Sequence, residues 1–101
     1  MKTDRILTNQ TIRIKARIRN IDGDLVDPQS IRFELKKPNS DEYTGHTVMG
    51  DRPVIIREEV GIYYIDIDLD IPGIWKYSWF TFGYPESSWK GFFEVENSRY
   101  I

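Results

Sequence analysis

The chain has 101 residues, 14 basic and 16 acidic, for a net charge of −2. That is one domain's length, and a near-neutral balance of charge argues against a nucleic-acid binder, which more often carries a strongly basic face. With no cysteine, disulfides, thiolate metal sites and a cysteine nucleophile are all excluded, while 40% hydrophobic and 14% aromatic content is enough for one core.

Met1 to Thr8 is mixed, with Ile6 and Leu7 suited to a brief edge strand. It contains no uninterrupted apolar run of the kind a secretory signal needs, so a soluble intracellular or assembled protein is expected. The uncharged stretch from Ile71 to Trp75 is too short to cross a bilayer, and no membrane partner is expected. Asn9-Gln10-Thr11 reads as a turn.

Thr11 to Asn20 alternates clearly. Ile12, Ile14, Ala16 and Ile18 fall on one face, Arg13, Lys15, Arg17 and Arg19 on the other. Period two with β-branched residues is a strand with one buried face. Asp22-Gly23-Asp24 is a turn, in which an aspartate closes an Asx-turn, and Asp27-Pro28 punctuates again. Ser30 to Lys37 repeats the alternation with Ile31, Phe33 and Leu35 inward. Glu42 to Met49 is a weaker strand, Gly50 to Pro53 a turn, and Val54 to Arg57 a short strand.

Tyr63, Ile65, Ile67 and Leu69 then alternate with Tyr64, Asp66, Asp68 and Asp70 before the Ile71-Pro72-Gly73 turn. Trp75, Tyr77 and Trp79 alternate with Lys76, Ser78 and Phe80. Phe82 to Ser88 reads as a loop, and Trp89 to Glu96 as the last strand, with Trp89, Gly91, Phe93 and Val95 on one face. No stretch carries a sustained helical period. About seven short strands in this length predict an all-β fold: a single immunoglobulin-like antiparallel sandwich over residues 1–101, with 1–8 and 97–101 as terminal segments.

The charge rows predict a pairing. Facing opposite charges stabilise an antiparallel pair by roughly 0.2–1 kcal/mol each. Setting Arg13 against Asp70, Lys15 against Asp68 and Arg17 against Asp66 satisfies both rows. It also pairs the second strand with the fifth, as immunoglobulin-type sandwiches do. A paired basic row is a poor phosphate stripe, so no direct contact with nucleic acid is expected. Asp66-x-Asp68-x-Asp70 resembles the opening of a calcium loop, but Ile71 stands at the glycine position and Tyr77 at the glutamate position. No metal is expected.

Catalytic chemistry finds little material. The one histidine, His46, has no nucleophile motif near it, and there is no glycine-rich phosphate loop or zinc motif. We expect no enzyme, no catalytic residue and no cofactor. The inward aromatics read as core. Phe80, Phe82, Tyr84 and Phe92 fall on the outer face or in the preceding loop, and with Tyr100 in the tail they are the candidate partner-binding residues. If Phe80 and Phe92 lie side by side they form an exposed patch, which marks a protein interface. A sugar-stacking platform built from Tyr84, Trp89 or Phe80, in a carbohydrate-binding or adhesion module, is the alternative.

Two phrases carry a resemblance: Ile18 to Pro28, with its D-G-x-x-V-D-P pattern, and Gly61 to Trp79, reading G-x-Y, then P-G-x-W-x-Y-x-W. In order and spacing, over residues 10–96, the chain resembles small immunoglobulin-like proteins encoded among the structural genes of tailed bacteriophages. The resemblance implies a virion component, assembled in the host cytoplasm, as a capsid decoration or cement protein or a head–tail (neck or tail) accessory. It implies other virion proteins as partners, with self-association into a closed homo-oligomer also expected, and it carries over no catalytic residue. The chain departs from the pattern between Tyr43 and Arg57 and in the loop from Phe82 to Trp89.

Overall fold

The computed structural model describes residues 5–97. Seven strands form two antiparallel sheets: β1 (Thr11–Arg17), β2 (Ser30–Lys36), β3 (Thr44–His46), β4 (Ile56–Glu59), β5 (Ile62–Asp68), β6 (Gly73–Phe82) and β7 (Ser87–Val95). One sheet runs β1-β5-β4, the other β3-β2-β6-β7. This is the immunoglobulin-like arrangement, with β1 paired to β5 in one layer and β2, β6 and β7 side by side in the other. No helix occurs among the described residues. Leu7 supplies the expected edge as a single parallel bridge to Glu96.

Alternation places the core correctly. Ile14, Ala16 and Ile18 face Tyr63, Ile65, Ile67 and Leu69 from the same sheet, while Ile31, Phe33, Leu35, Trp75 and Trp79 come from the other. Trp75, Trp79, Phe33 and Ile65 are wholly buried. The Trp79 ring meets Phe33 edge-on at 4.8 Å, and Trp75 stacks on Phe93 at 5.9 Å. These geometries suit the aromatic quadrupole. Tyr77, Trp89 and Phe93 also point inward but are only half-buried.

The β1–β5 pairing is the expected one, in a different register. Arg13 lies opposite Asp66 and Thr11 opposite Asp68, an offset of four residues from the charge-ladder alignment. Gly61 supplies the reason. It adopts φ 73°, and a Cβ there would meet Val26 N at 2.8 Å and Ile18 O at 2.9 Å. The Ile18 amide donates to the Gly61 carbonyl at 2.7 Å. This backbone contact locks Ile18 opposite Gly61, and the ladder follows. A shift of four keeps every side chain on its own face, so alternation cannot detect it.

Turns and short strands differ in detail. At the Asp22-Gly23-Asp24 turn the closing side chain is Asn20, whose Oδ1 accepts from Asp22 N at 2.9 Å and Asp24 N at 3.0 Å. β3 is three residues long, with Tyr43 and Val48 exposed beside it. β4 lies two residues later than expected and is exposed throughout, with Ile55 just before it as the buried anchor. The loop after β6 shortens to residues 83–86, because β6 runs to Phe82 and β7 starts at Ser87.

Candidate partner-binding surface

In β6 and β7 the even-numbered side chains form the outer face of the four-stranded sheet. Phe80 sits on it half-buried, between Arg32 on β2 and Ser88 on β7. Phe82 is 42% exposed, opposite Ser30 at the end of the sheet. Tyr84, in the turn just beyond, is 71% exposed. Phe92 is 73% exposed and lies opposite Lys76. Tyr100 lies outside the described residues.

Phe80 and Phe92 therefore do not lie side by side. Four residues of β7 separate Ser88, the neighbour of Phe80, from Phe92, about 14 Å of strand. Thr81 explains the register. Its hydroxyl donates to the Pro85 carbonyl at 3.0 Å and accepts from the Ser87 amide at 3.0 Å. That closes the turn and sets Thr81 opposite Ser87, from which the rest of the ladder is counted. The aromatic residues form an end cluster (Phe80, Phe82, Tyr84) and a separate Phe92. Tyr64, also on an outer face, is covered: the Arg13 guanidinium lies 3.8 Å from its ring centroid.

Asp66 and Asp68 of β5 and Asp70 just beyond it are engaged, with partners other than those of the charge-ladder alignment. Asp66 accepts from Arg13 at 2.8 Å, Asp68 from the Thr11 hydroxyl at 2.6 Å, and Asp70 from Lys37 at 2.9 Å. Lys15 pairs instead with Glu58 on β4 at 3.0 Å. Arg13 and Lys37 hold Asp66 and Asp70 below the usual carboxylate range through these hydrogen bonds. A cleft of about 870 Å³ opens where the sheets part beside β3 and β4, lined among others by Lys37, His46, Arg52, Asp66 and Asp70. Burial pushes the His46 imidazole towards its neutral form, and its ring lies 6.4 Å from Phe33. No group of three His, Cys, Asp or Glu residues is placed to hold a metal ion among the described residues.

The most perturbed carboxylate is one that in the sequence marks only an Asp-Pro break. Asp27 accepts from Arg57 Nη2 at 2.9 Å, from the Gly61 amide at 2.9 Å and from the Tyr63 hydroxyl at 2.9 Å. Arg57 above all, then the Gly61 amide, holds its carboxyl far below the ordinary range. Burial, with the hydrogen bond to Asp27, pushes Tyr63 up to about 12. Shifted carboxylates often mark reactive sites, but structural ion pairs shift them too. Here the carboxylate is surrounded by donors that the chain itself supplies. It ties the segment between β1 and β2 to β4 and to the start of β5. The D-G-x-x-V-D-P and G-x-Y phrases thus meet at one carboxylate, and their joint occurrence in one chain is the signal that could have found it. No family model, curated protein or solved structure matches this chain.

Proposed function

We propose that this chain is a non-enzymatic structural protein of a tailed-phage virion that docks onto capsid or neck and tail proteins through the Phe80–Tyr84 end of its four-stranded sheet. The observation that carries the reading is the placement of Phe82 and Tyr84, both well exposed, at one end of one face. Large aromatic side chains are the usual anchors of protein interfaces, and holding them exposed in a free domain serves nothing within the fold. The motif order over residues 10–96 supports the virion setting.

A glycan platform has less support. Trp89 is half-buried and one ring face stacks on Trp79 at 6.3 Å, while Phe80 is half-buried between its neighbours. Of the three candidate rings, Tyr84 alone is largely exposed.

Co-sedimentation with the phage particles whose genome carries the gene tests the proposal. The wild-type chain is expected to pellet with particles, and the Phe82→Ser, Tyr84→Ser double variant to bind on the order of tenfold or more weakly while staying folded. A chain absent from those particles and without affinity for their purified proteins overturns it. Hits on a glycan array that vanish in Tyr84→Ser favour the sugar reading instead.

A further inference from the structure

β7 is the outermost strand of its sheet. Its nine residues pair with β6 in unbroken register and contain no proline. Along an antiparallel strand, alternate residues direct both backbone N–H and C=O to the same side. The Phe82 carbonyl accepts from Gln29 N at 3.1 Å, so even-numbered residues of β6 face β2 and odd-numbered ones face β7. Trp75 lies opposite Phe93 and Tyr77 opposite Gly91, so the odd residues of β7 face β6. Ser88, Lys90, Phe92 and Glu94 therefore direct their backbone groups to the open edge. Among the described residues the edge is closed only at its end. There the Glu96 amide donates to Ile6 O at 2.8 Å, and its carbonyl accepts from Thr8 N at 2.9 Å.

The same four residues place their side chains on the outer face, in the order Ser, Lys, Phe, Glu. Phe92, 73% exposed, has a cation two residues before it and an anion two residues after it. That pattern is complementary to itself when the strand is turned end for end. A two-fold axis at Phe92 sets Lys90 of each copy against Glu94 of the other and Phe92 against Phe92. An axis at Gly91 leaves Lys90 opposite Phe92 and Glu94 opposite Ser88. An axis at Lys90 sets two lysines together, and one at Phe93 needs the edge of Glu96, which residues 6–8 occupy. A lone edge lysine ordinarily blocks strand addition. Here the second copy brings its counter-charge.

We propose that β7 pairs antiparallel with β7 of a second copy about a two-fold axis at Phe92, giving one continuous eight-stranded sheet. The pairing makes about six backbone hydrogen bonds, two for each of three facing pairs. On the inner face it sets Gly91 against Phe93, adding cover to that half-buried aromatic, and it stops at Glu94, short of the edge that residues 6–8 occupy. Its closed symmetry stops growth at the dimer. The pairing rests on the edge alone and does not depend on a virion setting.

Sedimentation of the full chain, with circular dichroism to verify folding, tests it. Wild type is expected to dimerise in a concentration-dependent way. Lys90→Glu alone and Glu94→Lys alone each set like charges together twice, and each is expected to weaken the dimer on the order of tenfold or more. An equimolar mixture of the two single variants restores opposite pairs and is expected to form a heterodimer, and the double swap in one chain restores the homodimer. A wild type that stays monomeric to millimolar concentration overturns the proposal, as does a dimer indifferent to both single variants. Particle binding is scored separately: a monomer that still pellets with particles defeats the pairing alone, and a dimer that does not defeats the virion reading alone.

Discussion

Asp27 and Phe92 represent two opposite ways for a region to look important. Around Asp27 the chemistry is dense, with a depressed carboxylate, a bidentate arginine and a tyrosine pushed up to about 12, yet every donor belongs to the chain and the region holds the fold together. Around Phe92 there is no unusual chemistry, only an exposed ring on a strand edge. The lesson is that the strongest electrostatic perturbation here marks an internal tie, while the candidate partner surfaces are marked by exposed rings and an open strand edge. A region whose polar groups are all satisfied internally has little left to offer from outside.

The contrast can be broken most severely at Gly61. Gly61→Ala meets two backbones and a positive φ, so a loss of about 3 kcal/mol or more is expected, read as failure to fold or a large drop in the denaturant midpoint. Asp27→Ala leaves the Gly61 amide and the Tyr63 hydroxyl without their acceptor. It should cost about 2 kcal/mol, a melting point lower by roughly 10 °C. An unchanged melting curve would remove the claim that Asp27 is structural.

The pH dependence sharpens the same point. Asp27, Asp66 and Asp70 all titrate below the ordinary aspartate value of 3.8 in the folded chain, so their contribution is complete above about pH 4 and is lost as pH falls below it. His46, pushed down from 6.5 by burial, adds stability that is complete above that value and declines as pH drops through it. Tyr63 has the opposite sign: its contribution is complete below pH 10 and disappears as pH rises from 10 to about 12. Chemical denaturation over the acid range is expected to show the decline, and Asp27→Asn to flatten it most among single carboxamide substitutions.

A smaller effect separates the two buried tryptophans. Trp75 Nε1 donates to the Ile71 carbonyl at 3.1 Å, whereas Trp79 Nε1 is buried without a hydrogen-bond partner among the described residues. Each Trp→Phe change removes similar volume, but Trp75→Phe also breaks a hydrogen bond. It should cost about 1 kcal/mol more in a urea titration. The smallest effect is expected at the aromatic end. Phe82→Ser and Tyr84→Ser should each shift stability by about 0.5 kcal/mol or less, since neither side chain is buried. A larger loss would make those rings part of the fold and remove them from the binding surface.

Much of the fold is legible in the residues alone. The alternation in Thr11 to Asn20, Ser30 to Lys37 and Tyr63 to Asp70 names the buried faces, and the charge rows name the β1–β5 partnership. Glu42 to Arg57 is poorly legible because its strands are short and mostly exposed, so little apolar period is imposed on them. The candidate site is half legible. Exposure of Phe92 follows from parity and that of Phe82 and Tyr84 from the loop reading, but their separation does not follow from either, because it depends on how Thr81 closes a turn.

The buried face of each long strand follows from its residues alone, since side chains alternate by the geometry of a single strand. Which residues meet across strands depends on contacts made in the folded chain. A row of like charges accepts several registers at similar energy, and in β1–β5 the choice fell to one backbone contact between Gly61 and Ile18, while in β6–β7 the register follows one hydroxyl at Thr81. The same dependence on partners brought Asp27 to Tyr63 and left the Lys90–Glu94 edge of β7 without a neighbouring strand among the described residues.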